Sequence, residues 1–257
     1  MDFSLTNEQQ MIIDTLKTFV EQELYPHEAE VEKTNEIRPE LYAQIKQKAL
    51  DLGLYAANMP EEHGGAGVDS LTLCLMEREL GRANFGLQYI VGRPSNILLA
   101  CKGDQIENYL HASIRGEKVD CLALTEPNAG SDVRSMQCRA ERDGDDFIIN
   151  GTKHFISHAD VADFVILFAA SGVEQTPRGP KKKITSFLVD IGTPGFTVEP
   201  GYNSVSHRGY HNCILNFDNC RVHKSQVLGE EDHGFDVANQ WLGATRLSVA
   251  AMCLGRA

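Results

Sequence analysis

The sequence is short of basic residues: 24 Lys and Arg stand against 36 Asp and Glu, a formal net charge of −12. A general nucleic-acid binder needs a basic face to neutralise phosphates, so that class is not expected; a local basic pocket for a phosphorylated ligand remains open. No apolar run approaches the roughly 20 residues of a membrane span, and no transmembrane segment is expected. The start, Met1-Asp2-Phe3-Ser4, lacks a basic stretch followed by an apolar core, so no secretory leader is read there. The 7 cysteines are odd in number, scattered between Cys74 and Cys253, and form no C-x-x-C. That pattern fits free thiols in a reducing compartment better than a disulfide framework, and a soluble cytoplasmic protein is expected.

Familiar catalytic signatures are also missing. The loop Pro60-Glu61-Glu62-His63-Gly64-Gly65-Ala66-Gly67 is glycine-rich but does not match G-x-x-x-x-G-K-[ST], so it is no P-loop. Ser131-Asp132 has no nucleophile elbow around it, and no Cys–His or Ser–His–Asp set has local support. His154 and His158 are spaced four apart, as are His207 and His211, but neither pair has an obvious third ligand, and no metal is predicted. Internal repeats and low-complexity tracts are absent from the sequence.

What is present divides into three parts. At 257 residues and 42% hydrophobic content the chain can build one large domain or two ordinary ones. Residues 1–116 read as an all-helical domain. Thr6 and Gln9 stand in capping-box spacing, and Ile12, Leu16, Phe19/Val20 and Leu24 define one buried face. Pro26 is expected to kink or end that helix. A second helix is expected from Pro39 to Leu52 with Leu41, Ile45 and Leu50 inward, and Gly53 as its stop. Further helices are expected at Leu71–Leu80, within Leu87–Ala100 with a break near Pro94, and at Asp104–Arg115.

From residue 117 to 228 short apolar runs replace the helical period. Cys121–Leu124, Phe147–Ile149, Phe164–Phe168, Ile184–Val189, Phe196–Val198 and Cys213–Phe217 are strand-sized, and Asp143-Gly144 is a hairpin signal. Strands without intervening helices predict a β-barrel or sandwich domain. Gln175 to Lys183, with two prolines and the basic residues Arg178, Lys181, Lys182 and Lys183, reads as a solvated loop. Residues 229–257 read as one helix, with Phe235, Ala238, Trp241/Leu242, Thr245, Val249 and Met252 near one face. The periodic pattern stops at Arg256-Ala257 without a cap, so a truncated C-terminal helical bundle is expected. The fold class is therefore multi-domain α and β.

Two stretches carry the chemistry. Leu122-Ala123-Leu124-Thr125-Glu126-Pro127-Asn128-Ala129-Gly130-Ser131-Asp132 runs from a buried strand into a polar turn. Gly130 is read as supplying backbone angles closed to other residues. A strand end with backbone N–H groups, hydroxyls and a carboxylate beside an apolar wall suits a flat polar ligand. Taken alone, the same residues make an ordinary strand exit. Asn150-Gly151-Thr152-Lys153-His154-Phe155-Ile156-Ser157 follows.

Together the two stretches resemble the acyl-CoA dehydrogenase family, in which "TEP-x-x-GSD" precedes "NG-x-K-x-(Trp/Phe)-I-(Thr/Ser)". The resemblance covers the whole chain and implies FAD as cofactor. It implies that Leu122, Ala123, Leu124, Thr125, Gly130 and Ser131 form one flavin-contacting segment, with Thr125 at the isoalloxazine edge. It implies that Phe155, Ile156 and Ser157 form a second segment, with Phe155 as ring wall and Ser157 near N5. Ser131 matches a residue that touches the pantetheine arm of acyl-CoA. Arg208-Gly209 matches the family's "R-G-(Ser/Thr)", although Tyr210 stands where a small hydroxyl is usual. Leu242-Gly243-Ala244-Thr245-Arg246 is similar to the "L-D-x-x-R" substrate helix, with Gly243 in place of Asp and Arg246 kept.

The implied reaction is α,β-dehydrogenation of an acyl-CoA thioester. The family's usual base lies in a helical domain beyond these residues; in one branch it directly precedes the Arg, where this chain has Thr245. No catalytic residue is named, and the chain alone is expected to be inactive. The implied partners are the acyl-CoA substrate, an electron-transfer flavoprotein, and copies of the chain in a homotetramer or homodimer. Three alternatives stay open: a related flavoprotein oxidase or monooxygenase acting on a non-CoA substrate, a non-redox acyl-CoA-binding protein of the same fold, and a purely structural protein that binds neither FAD nor CoA.

Overall fold

A computed structural model describes residues 4–92, 94–177 and 179–257. Met1 to Phe3, on which the leader expectation rests, and Arg178 of the basic segment lie outside the described residues.

The helical part begins with α1 (Asn7–Phe19), capped reciprocally by Thr6 and Gln9. The helix does not end at Pro26. A π turn, Val20–Leu24, absorbs the irregularity, and α2 (Tyr25–Thr34) resumes with Pro26 in its first turn, where a missing N–H costs little. α2 stops at Asn35, which is left-handed (φ 61°). α3 (Pro39–Asp51) buries Leu41, Ile45 and Ala49; Leu50, expected inward, is only half-buried because the 3.6-residue period places Ala49 on the core side. α4 (Ser70–Leu80) is capped by Asp69, and α5 (Phe85–Tyr89) by Asn84. A 3₁₀ turn at Asn96–Ala100 and a π turn at Ile106–His111 leading into α6 (Ala112–Ile114) complete this part.

The β part is one eight-stranded mixed sheet. Its strands are β1 (Asp120–Ala123), β2 (Arg139–Asp143), β3 (Asp146–Ser157), β4 (Phe164–Thr176), β5 (Gly179–Asp190), β6 (Phe196–Tyr202), β7 (Asn212–His223) and β8 (Val227–Leu228). The spatial order is β6-β7-β3-β2-β4-β5-β8, with β1 also on β4. Cys121 of β1, Phe147 of β3, Leu167 of β4, Phe187 of β5, Phe196 of β6 and Leu215 of β7 share one core. Strands so far apart in the order can share a core only if the sheet curls. The other face of β4 and β5 packs Phe164, Ile166, Phe168 and Leu188 against Leu98, Leu110, Ile114 and Ala238. Apolar contact on both faces explains why Phe164–Ala169 is an unbroken apolar run, each residue fully buried.

The segment expected to be a solvated loop is instead the far end of the β4–β5 hairpin, paired Gly172 to Lys183, Val173 to Lys182 and Glu174 to Lys181. The lysines are strand residues with opposite charge or backbone in reach. Lys183 meets Asp232 at 2.7 Å, and Lys182 reaches the carbonyls of Ser135 and Met136.

The last helix, α7 (Gly234–Arg256), crosses α4 closely: a Cβ on Gly255 would collide with the Arg78 carbonyl, and one on Gly81 with the Met252 carbonyl. Ala238, Ser248 and Met252 are buried, whereas Val249, expected on this face, is 41% exposed. Gly81 and Gly255 are the small residues that let the two helices approach this closely.

Candidate functional site

β1 and β2 run parallel to β4 along the same edge, one after the other: Ala123 pairs with Leu167, and Arg139 with Ala170. Between them the chain leaves the sheet, and this excursion, residues 124–138, is the first motif. Glu126 and Ala129 exchange both backbone hydrogen bonds, at 3.0 and 3.2 Å, so Pro127-Asn128 forms a tight turn. Gly130 does not have a positive φ, and a Cβ there would meet nothing within 4 Å. The expected backbone reason for this glycine is therefore corrected: neither its φ nor a protein neighbour requires it.

The second motif lies on β3, each position with its own task. Asn150 Oδ1 accepts from the backbone N–H of Asn219 at 2.9 Å, closing an irregularity in the β3–β7 ladder. Gly151 has φ 147°, and a Cβ there would sit 2.6 Å from Cys138 Cα, so β3 can pass the start of β2 only with glycine. A second register shift falls between Lys153 and Ile156. At this bulge Phe155 takes φ 55°, rare for a non-glycine residue, and stands 54% exposed. Its ring lies 5.0 Å from that of Tyr202 at 31°, and His154 Nε2 meets the Tyr202 hydroxyl at 2.8 Å.

The motifs are joined. His154 N–H donates to the Thr125 carbonyl at 2.9 Å. Lys153 and Glu126 form an ion pair at 2.8 Å with side chains 0% and 4% exposed, and Lys153 Nζ also donates to the Leu124 carbonyl at 3.1 Å. Burial of ions this complete is tolerated only with near-full pairing. The Glu126 carboxylate obtains that pairing by also accepting Gln137 N–H at 2.6 Å and Cys138 N–H at 3.0 Å. Burial pushes the neighbouring Cys138 thiol up to about 11.

Of the sequence-named residues, Thr125 meets β3 through its carbonyl one position before Phe155, and Ser157 is the last residue of that strand. Ser157 Oγ donates to Asn212 Oδ1 at 3.1 Å. Leu122 and Leu124 are half-buried, Ala123 and Ile156 point into the core, and Gly130 and Ser131 are exposed. Arg246 is exposed on α7, without a hydrogen bond or ion pair among the described residues. Thr245 Oγ1 donates to the Trp241 carbonyl at 2.7 Å. Glu126, Lys153, Tyr202 and Asn212 were not singled out from the sequence.

Of the two spaced histidine pairs, His154 belongs to this site, and the other three lie elsewhere. His158 stacks on Tyr89 at 4.3 Å and meets the Tyr210 ring edge-on at 4.4 Å. Burial pushes its pKa down to about 4, and neither ring nitrogen has a hydrogen-bond partner among the described residues. His211 is held by Asp160 at 2.7 Å and the Asn35 carbonyl at 2.9 Å. Burial opposes its charge, but those two acceptors outweigh it and raise the pKa. His207 packs edge-on against Phe85 at 4.4 Å. Among the described residues no group of three or more His, Cys, Asp or Glu could hold a metal ion, and no helix is long and apolar enough to cross a membrane.

A helical half followed by a curled sheet, with the two motif segments joined through Thr125 and His154, defines the class. The acyl-CoA dehydrogenase N-terminal domain matches residues 6–117 and the acyl-CoA dehydrogenase middle domain matches residues 121–220. Butyryl-CoA dehydrogenase from Megasphaera elsdenii superposes with a TM-score of 0.86 at 30% identity, covering 99% of this chain and 67% of that one. A glutaryl-CoA dehydrogenase from Mycobacterium smegmatis in complex with FADH2 superposes at 0.84 with 27% identity, covering 98% and 62%. The 3-(aryl)acrylate reductase of Clostridium sporogenes is 34% identical over 97% of this chain and 66% of its own length. The chain belongs to the acyl-CoA dehydrogenase family, and spans about two thirds of the length of relatives it matches.

Proposed function

We propose that the protein is an FAD-dependent acyl-CoA dehydrogenase that removes an α-proton and a β-hydride from an acyl-CoA thioester. The observation that carries this reading is the junction of the two motif segments through Thr125 and His154, with Phe155 turned outward on its bulge. The residues fit a flat ring system. Phe155 offers an exposed aromatic face held by Tyr202, and Thr125 and Ser157 are the polar groups assigned to the ring's edge. The space in front of Gly130, which no protein atom fills, fits close approach of a ligand to backbone.

FAD, when bound, supplies the hydride acceptor. Leu122–Thr125, Gly130 and Ser131 would hold it from one side, and Phe155, Ile156 and Ser157 from the other. The Phe155 wall is suited to keep water away from the ring, and Ser157, whose hydroxyl must leave Asn212 Oδ1 before it can donate elsewhere, lines the same segment. Ser131 and Arg246 would meet the acyl-CoA. Thr245 cannot act as the base that takes the α-proton, since a hydroxyl is too weak and this one donates to its own helix. The base is assigned to a carboxylate outside residues 1–257, and the regions 1–116, 117–228 and 229–257 to an N-terminal domain, a middle domain and the start of a C-terminal one.

By the same reading the electron acceptor is an electron-transfer flavoprotein, the assembly a homotetramer or homodimer, and the role fatty-acid metabolism. A cytoplasmic location fits the cysteines, none of which is disulfide-bonded in the structure.

The test is spectroscopic. Purified full-length protein should be yellow, and acyl-CoA added without oxygen should bleach it. A yellow protein that no acyl-CoA bleaches points to a flavoprotein with a non-CoA substrate; a colourless one that takes up no added FAD refutes the flavin.

A further inference from the structure

We infer that the buried Glu126–Lys153 pair is the positioning device of the flavin site, setting the distance between the turn at 124–131 and the aromatic wall at Phe155. The inference rests on the flavin reading above. It starts from a gap in the sheet. Where β1 gives way to β2 along the edge of β4, fifteen backbone positions, 124–138, leave the sheet, and Lys153 enters the space with no exposed side-chain surface. Through it the two ends of the excursion are gripped together. Leu124 and Glu126 belong to the departing end, and Gln137 and Cys138 to the returning end; all four meet the same ion pair.

A space-filling role does not explain the charges. Apolar side chains of similar volume fill such a gap as well or better, because two buried ions lose their hydration. What an apolar plug cannot do is accept two backbone N–H groups on one oxygen set and donate to a carbonyl on the other strand. Those bonds fix the excursion in angle as well as in place. The consequence runs along β3: Lys153 is followed by His154, which holds the Thr125 carbonyl, and then by Phe155 on its bulge. Turn and wall are therefore spaced through one side-chain pair, neither member of which is among the proposed flavin contacts.

The test uses full-length protein stripped of flavin and titrated with FAD. Lys153→Met should weaken FAD binding by about tenfold or more and shift the visible flavin spectrum, as expected for loss of a charge-assisted anchor. The control is Leu16→Ala, a core truncation in the helical part, with Leu16 fully buried on α1 in a cluster that shares no residue with the motif turn. It should lower the melting temperature comparably and leave the FAD dissociation constant within about twofold. If Lys153→Met does not fold, Glu126→Gln serves instead, with roughly a fivefold loss of FAD affinity against the same control. Equal FAD affinity for the clamp variants and the control at matched stability overturns the inference while leaving the flavin reading intact. Wild-type protein that binds no FAD overturns both.

Discussion

The turn at 124–138 and the helix α7 carry the residues that the family resemblance singles out, and the chain treats them in opposite ways. At the turn one charged pair is buried and fully engaged: Glu126 and Lys153 bond each other and share three further partners, Leu124, Gln137 and Cys138. On α7, Arg246 is exposed and unbonded among the described residues, flanked by Leu247 at 59% and Val249 at 41% exposure. A residue whose bonding is completed inside the chain takes part in folding, so its loss registers first as instability. A residue whose bonding is not completed contributes nothing to folding, and its loss can register only when a ligand arrives.

The largest expected effect tests the first half of that contrast. Lys153→Met strips a buried carboxylate of its counter-ion, and breaking one partner of such a pair costs about 3–5 kcal/mol. Denaturant unfolding of wild type and variant measures it. A loss below about 1 kcal/mol would mean that the carboxylate is satisfied by the Gln137 and Cys138 N–H groups alone, and the contrast with α7 would weaken.

Two histidines sharpen it next, with opposite signs. His158 is buried with its pKa pushed down to about 4, so the unfolded chain takes up a proton near 6.5 that the folded one refuses. Stability therefore falls as pH drops from about 6.5 towards 4, by roughly 3 kcal/mol in total. His158→Leu should flatten that acid limb; an unchanged limb would assign it to other groups. His211 has its pKa raised by Asp160 and Asn35 against the opposing effect of burial. Its contribution is complete below the unfolded value and is lost as pH rises through the folded one. His211→Gln should therefore narrow the difference in stability between pH 6 and pH 8, whereas His158→Leu should not.

How much of this was legible depends on how local the cause is. The Thr6–Gln9 cap, the Gly53 stop (φ 67°) and the apolar run on β4 are decided by near neighbours or by simple burial, and all are readable. β2 was not, because only Ala140 of its five residues is buried and its place is set by pairing with β3. The Gln175–Lys183 segment reads as a loop because its strand character comes from cross-strand pairing rather than from its own composition. Glycine shows the same limit. Gly130 looked like the conformational requirement, but Gly151, where β3 passes Cys138, is the one with no room for a side chain. The two motif stretches are legible as stretches, while the buried pair that joins them shows only in three dimensions.

The smallest expected effect concerns Arg246, and it tests the second half of the contrast. An exposed arginine with no partner among the described residues has no folding role to lose, so Arg246→Ala should change unfolding stability by less than about 0.5 kcal/mol. It should also leave FAD content unchanged, since none of the proposed flavin contacts lies on α7. Long charged side chains pack their stems and keep their heads polar, so a phosphate or amide of acyl-CoA is the partner this guanidinium is free to take. Losing a charge-assisted contact of about 1.5–3 kcal/mol should then raise the acyl-CoA KM about tenfold or more in the full-length enzyme. Arg246→Lys should recover part of that, because charge is kept while the planar fork is lost. A wild-type KM in Arg246→Ala, or a loss of flavin with it, would show that α7 is not the substrate-facing counterpart of the clamped turn.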